Sequence, residues 1–311
     1  MGEWSKKIGE YGKNVVEKFL SIIGWNNVQK GIEIKCFDKG HKSIIDKPAQ
    51  THGIDFLYSY KSPLVSGQLN NVIISSKFKT EKYPNSATAT FKSFMTDLIN
   101  TVECFDKSDT KYSILQVYNA FSSINDVGVL FWLNNQKESN DDLINMVVNA
   151  KIDADSDKTI YIMDNKRVAF IVSLITYVKS MNDCTYTYNF FYPSTGRNIN
   201  PVTRTEYGAI LPVEYVNSSV IPLRLENKNN NKEVSVFLGC IDDFELDTFM
   251  RLMGLAKDIS KDWTGNVIIG FHDYNKLYHK NIVAEAKQGF HETEFTQKVS
   301  VVNYFDTLNV Y

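Results

Sequence analysis

The run VGVLFWL, residues 127–133, constrains the fold most. It is of strand length and offers water no polar face. Such a run suits a central strand buried on both sides of an α/β sheet. What precedes it supplies the neighbours. Ile8, Val15, Phe19, Ile22 and Ile23 recur at helical spacing over residues 5–23, with Ser5 as N-cap and Gly24 as stop. Residues 31–37, 53–60 and 72–79 read as three strands, with Ser62-Pro63, Gly67 and Asn70-Asn71 marking the turn between the last two. Residues 91–105 read as a second helix with Phe94, Leu98, Ile99 and Val102 on one face. The order is α-β-β-β-α-β over about 135 residues.

The rest of the chain reads as a second α/β region. Residues 159–163, 168–178, 234–238 and 267–271 are strand-like, with a helix open as the alternative for 168–178, and residues 243–258 are helical. At 311 residues two domains are expected, divided as 1–150 and 151–311. Hydrophobic residues make up 43% and charged residues 23%, so a large core needs no disulfide. Cys36, Cys104, Cys184 and Cys240 are far apart and form no CxxC, which fits reduced thiols better than a disulfide frame or a zinc site. The N-terminal stretch has no signal-type apolar segment, and no window approaches the roughly 18 apolar residues of a membrane span. A cytoplasmic protein without membrane contact is expected.

Charge is uneven. Residues 1–100 carry 14 lysines against 9 acids, whereas the remainder carries 20 Lys and Arg against 27 acids. A basic first third can meet a polyanion, and an acidic, aromatic-rich remainder, as in YTYNFFY (186–192), suits a protein partner.

The hairpin carries the chemistry. Asp55 lies between Ile54 and Phe56 and points away from them, while Ser75, Lys77 and Lys79 share one face of the next strand. A twisted hairpin brings Asp55 and Lys77 together at one sheet end. The carboxylate can hold Mg²⁺, and the lysine can neutralise charge developing on a phosphate. Lys79, Lys82 and Lys92 surround the polar run YPNSATATF (83–91), where Ser86 can contact phosphates. His272 and His279 are seven apart in a spacing that matches no metal motif, and read as ordinary core or surface histidines. No GxSxG, HExxH, Walker lysine loop or GxGxxG is present, which argues against serine hydrolases, zincins and P-loop NTPases.

The segments GEYGKNVVEKFLSIIGW (9–25), THGIDFLYSYKSPL (51–64), VIISSKFKTEKYPNS (72–86), DLINTVECF (97–105) and DVGVLFWLN (126–134) resemble the PD-(D/E)XK nuclease superfamily. More closely, they resemble the nuclease subunit of a two-gene, gamma-mobile-trio-associated anti-phage defence system. The resemblance implies a restriction-endonuclease-like αβββαβ core and a Mg²⁺- or Mn²⁺-dependent DNA endonuclease. It also implies DNA and a second, neighbouring-gene subunit as partners, with homo-oligomerisation inside the complex left open. Asp55 takes the place of the first motif acid, a metal ligand, and Lys77 that of the motif lysine. Ser75 stands where the second acid should be, and Lys13 where related nucleases carry a helix Glu. Glu10 or Glu17, seven apart on one helix face, can supply the missing oxygen to a metal on Asp55, and Asp97 and Glu103 are further migrated acids. Two departures leave two readings: a rearranged working site, or a catalytically degenerate nuclease fold that binds DNA and signals to or scaffolds a partner subunit without cutting.

Overall fold

The structure is a computed structural model. It describes residues 3–42, 47–136, 142–152, 156–181, 186–200, 202, 204–229, 233–260 and 263–305, so Cys184 lies outside the described residues. The chain divides into two compact units, Met1–Val168 and Ala169–Tyr311.

The first unit runs α1 (Glu3–Ile22), β1 (Gln29–Lys35), β2 (Thr51–Lys61), β3 (Gln68–Lys79), α2 (Ala87–Phe105), α3 (Asp109–Val117), β4 (Ser123–Asn134), α4 (Leu143–Val147) and β5 (Ile160–Met163). Its five strands lie in the order β1-β2-β3-β4-β5. The first two pairings are antiparallel, and β3–β4 and β4–β5 are parallel. This is the expected αβββαβ core, with α3 inserted before β4. The strand at 160–163, grouped by the sequence reading with the second region, pairs with β4 and belongs to this sheet.

The apolar run 127–133 is buried throughout, as its composition requires, because both faces of β4 are covered. Leu130 and Trp132 pack with Leu57 and Ile73 against Phe91, Leu98 and Val102 of α2. On the opposite face Val16, Phe19, Leu20 and Ile23 are buried, and the Phe19 ring meets Phe131 edge-on at 5.6 Å. Two helices thus cover the two faces of one sheet. Each buried large apolar side chain contributes roughly 1.5–3 kcal/mol.

α1 approaches β3 very closely. A Cβ built on Gly12 would meet Phe78 Cβ at 2.2 Å, so only glycine fits this crossing. Tyr11 packs edge-on against the same Phe78 ring at 5.4 Å.

The second unit holds a six-stranded sheet. Its strands are β6 (Tyr186–Phe191), β7 (Tyr207–Gly208), β8 (Val220–Asn227), β9 (Val234–Cys240), β10 (Asn266–Phe271) and β11 (Val299–Asn303), in the order β11-β10-β9-β8-β6-β7. β9, β10 and β11 are parallel, joined through α6 (Leu246–Ile259) and through α7 (Lys276–Gln288) with α8 (Thr293–Lys298). Residues 168–178 are helix, not strand: they fall in α5 (Asn165–Ser180), whose buried Phe170, Ile171, Leu174, Ile175 and Val178 form one helical stripe.

Candidate active site

Asp55 sits where β2 and β3 part. Their ladder runs from Lys61↔Leu69 to Phe56↔Ile74 and ends there. Beyond that point Asp55 is held by side-chain chemistry. Its Oδ2 accepts the Ser76 backbone N–H at 2.7 Å, and its Oδ1 lies 2.7 Å from Lys13 Nζ. The strand also changes face here. Ile54 and Leu57, three apart, both join the core on the α2 side, whereas Phe56 lines a cavity with residues of α1. A regular strand would put residues three apart on opposite faces. The switch turns Asp55 towards α1.

That cavity, roughly 300 Å³, is lined by Glu10, Lys13, Asn14 and Glu17 of α1, Lys30 and Gly31 of β1, and Asp55 and Phe56 of β2. Glu10 and Glu17 therefore border the same space as Asp55. Glu17 is itself paired, with Lys30 Nζ 2.5 Å from its Oε1. The three carboxylates ring the cavity; the charge that touches Asp55 directly is the Lys13 ammonium.

Lys77 is not brought to Asp55. Alternation along β3 puts Phe78 under α1 and Lys77 on the opposite face. There Lys77 Nζ lies 3.2 Å from Asp97 Oδ2 and 5.3 Å from the centre of the Phe94 ring, both on α2. The expected meeting of Asp55 and Lys77 in a twisted hairpin assumed unbroken alternation along β2, and the face switch at Asp55 removes it. Ser75 is buried in β3, one residue from the amide that binds Asp55. Lys13, read from sequence as a lost acid, is the lysine beside the motif aspartate. The adjacent Gly12, a small residue where helix meets sheet, is the signal that could have found it.

The β3–α2 connection presents Lys79, Lys82 and Ser86 to solvent, with Lys92 half-buried on α2. Ser86 is the N-cap residue of α2, yet its side chain caps no amide. Tyr83 anchors the connection by donating to Trp132 O at 2.7 Å. Of the other acids, Asp97 is taken by Lys77, and Glu103 Oε2 lies 3.3 Å from His41 Nε2, away from the cavity. His272 and His279 go to separate partners: His272 Nε2 lies 3.3 Å from Asp243, and His279 stacks on Phe244 at 4.7 Å.

The first unit has the αβββαβ order, with Asp55 on the second strand, on which the resemblance drawn from sequence rests. The family model described as the GAPS4 protein PD-(D/E)XK nuclease domain matches residues 1–167. The chain belongs to this family. Membership bears out the resemblance drawn from residues 9–134 and the restriction-endonuclease-like core, and sets the chain among the nucleases of a gamma-mobile-trio anti-phage system. The GAPS4 match ends close to the division between the two units. No curated protein matches the chain, and no solved structure does. Among the described residues no helix is long and apolar enough to cross a membrane.

Proposed function

We propose that this GAPS4 nuclease domain is a divalent-metal-dependent DNA endonuclease centred on Asp55. The reading rests on one observation above others: Asp55 stands at the β2–β3 parting with Lys13 on one oxygen and the Ser76 amide on the other, at the edge of a cavity bordered by Glu10 and Glu17. The hard oxygen donors of Asp55, Glu10 and Glu17 suit Mg²⁺ or Mn²⁺ and would hold it. A bound ion supplies an activated water and a counter-charge for the leaving oxygen.

The chain's own groups do the rest. The Ser76 N–H fixes the orientation of the Asp55 carboxylate. The Lys13 ammonium stands at the same carboxylate on an exposed helix face, where it can counter charge developing on a scissile phosphate. Lys77, held by Asp97, serves the flank of the site, and Lys79, Lys82, Lys92 and Ser86 contact the DNA backbone along the β3–α2 connection. The second unit, with its aromatic-rich run YTYNFFY (186–192), takes a partner subunit encoded beside this chain, which controls the nuclease.

A second reading has its own support. Ser75 removes the second motif acid, which favours a nuclease fold that binds DNA and signals without cutting. Plasmid and linear DNA incubated with Mg²⁺ or Mn²⁺, with and without the neighbouring gene product, separate the two. Cutting that disappears in Asp55→Ala supports the endonuclease. Intact DNA binding with no cutting under any of these conditions supports the signalling module and refutes the first reading.

A further inference from the structure

Among the described residues, one set of His, Cys, Asp and Glu side chains gathers its donor atoms in one place: Cys36, His41, His52 and Cys104, all within 4.8 Å of one another. They come from four places in the fold: just past the end of β1, the following loop, the start of β2 and the last turn of α2. Three of the four are buried, and Cys36 is half-buried.

The spacing of the donors is that of a tetrahedral ion. Bonds of about 2.3 Å to sulfur and about 2.0–2.1 Å to nitrogen at tetrahedral angles put two sulfurs about 3.8 Å apart, and sulfur and nitrogen about 3.6 Å apart. Here Cys36 Sγ and Cys104 Sγ are 3.9 Å apart, and His41 Nδ1 lies 3.6 Å from the first and 3.4 Å from the second. A disulfide needs its sulfurs at about 2.05 Å. His52 adds a second imidazole, set edge-on to His41 at 5.4 Å, and its Nε2 is buried without a hydrogen-bond partner. Only 6% of that residue's surface is exposed, and the nitrogen itself is buried. An unpartnered buried ring nitrogen costs free energy that a ligand bond would offset.

The surroundings match those of a ligand set. His41 presents Nδ1 to the sulfurs and sets Nε2 at 3.3 Å from the Glu103 carboxylate, the second-shell bond that orients a metal-bound imidazole. The Phe37 N–H donates to Cys104 Sγ at 3.3 Å, as backbone amides do to metal-bound thiolates. Two thiolates and two imidazoles select Zn²⁺ over Mg²⁺, and four protein ligands leave no open position for substrate. We propose that Cys36, His41, His52 and Cys104 hold one structural zinc ion that ties β1, β2 and α2 together. The site is separate from the cavity at Asp55 and does not depend on the nuclease reading.

The test uses the full chain, purified from zinc-replete cells without chelator. Elemental analysis is expected to find about one zinc per chain, and Co²⁺ substitution to give the intense visible bands of tetrahedral cobalt with a sulfur-to-cobalt charge-transfer band. Glu103→Gln, which leaves all four ligands in place, is expected to weaken zinc affinity about 10–100-fold. His52→Gln removes a ligand and is expected to lose the ion. Should these variants fail to fold, the wild-type chain still decides: titration with a mercurial must release zinc in step with modification of Cys36 and Cys104, located by mass spectrometry. Less than about a tenth of a zinc per chain, together with an octahedral cobalt spectrum, overturns the proposal. So does a Cys36–Cys104 disulfide in the freshly isolated protein.

Discussion

Gly12→Ala is the sharpest test of how α1 is seated. The added Cβ would lie 2.2 Å from Phe78 Cβ and 2.7 Å from Phe78 Cγ. The nearer atom belongs to the root of a strand residue, so no rotamer moves it aside. The contact must open by roughly 1 Å before carbon atoms attract rather than overlap. Overpacking of this kind costs about 1–3 kcal/mol, and its rigidity places it at the upper end. Alanine's better helix propensity returns about 0.5–1 kcal/mol, leaving a net loss of about 2 kcal/mol. For a unit of this size that lowers Tm by about 4–8 °C. Gly9, one turn earlier on the same helix, has nothing within 4 Å of a built Cβ. Gly9→Ala should therefore raise Tm by about 1–4 °C through propensity alone. Calorimetry on both variants isolates packing from propensity. Phe78→Ala keeps the offending Cβ and should not rescue Gly12→Ala. The reasoning fails if Gly12→Ala melts as high as Gly9→Ala. Because Lys13 adjoins Gly12, the displacement should also cut DNA cleavage by about 100-fold, the penalty of a 1 Å misplacement.

Three further substitutions probe the site and its frame. Lys13→Met should lower kcat for DNA cleavage about 100–1,000-fold while Lys77→Met costs less than about tenfold; the opposite ranking would return the motif role to Lys77. Asp126→Ala should destabilise the first unit by about 3 kcal/mol in urea melts, because Lys111 is buried against Asp126 at 2.5 Å and would keep only the more exposed Asp106. Asp164→Asn should raise the urea midpoint at pH 7. Burial lifts the Asp164 carboxyl above its ordinary value despite the Arg167 N–H that it accepts, so the native state carries a penalty for ionising it. That penalty is full above the folded pKa and fades as pH falls through it towards the unfolded value, so the advantage of asparagine must shrink on acidification. An advantage independent of pH would mean that the charge is not its cause.

Much of the first unit was legible because its elements announce themselves by period: the stripe of α1, the alternation of β1 and the unbroken apolar run of β4. The face switch at Asp55 was not: Gly31 falls opposite Asp55 in the β1–β2 register with a φ of 60°, but the sequence does not give that register, and alternation alone predicts no switch. That one switch separated Asp55 from Lys77 and gave it Lys13. In the second unit β8 escaped notice because Pro222 lies inside it, and a proline argues against an inner strand. The Cys/His cluster was invisible for a different reason. His52 and Cys104 are 52 residues apart, and only the packing of α2 onto the sheet closes the gap.

The two candidate metal sites hang on one strand, and their chemistry separates them. His52 precedes Asp55 by three residues in β2, about 10 Å of extended chain. The first site offers sulfur and nitrogen, the second only carboxylate oxygen, so zinc and magnesium sort without competition. Yet the zinc cluster fixes the stretch of β2 that leads into the face switch, so losing zinc should loosen Asp55 even though no ligand is shared. Brief chelation should strip a weakly held hard ion and leave a buried tetrahedral zinc in place. Cleavage should then return on adding Mg²⁺ alone. After mercurial release of zinc, Mg²⁺ alone should leave cleavage at least about tenfold down, and stripping the mercurial with excess competing thiol, followed by Zn²⁺, should be needed for recovery. Full recovery with Mg²⁺ after zinc has gone would show that β2 holds Asp55 without the cluster, and that the first strands of the sheet are pinned by core packing alone.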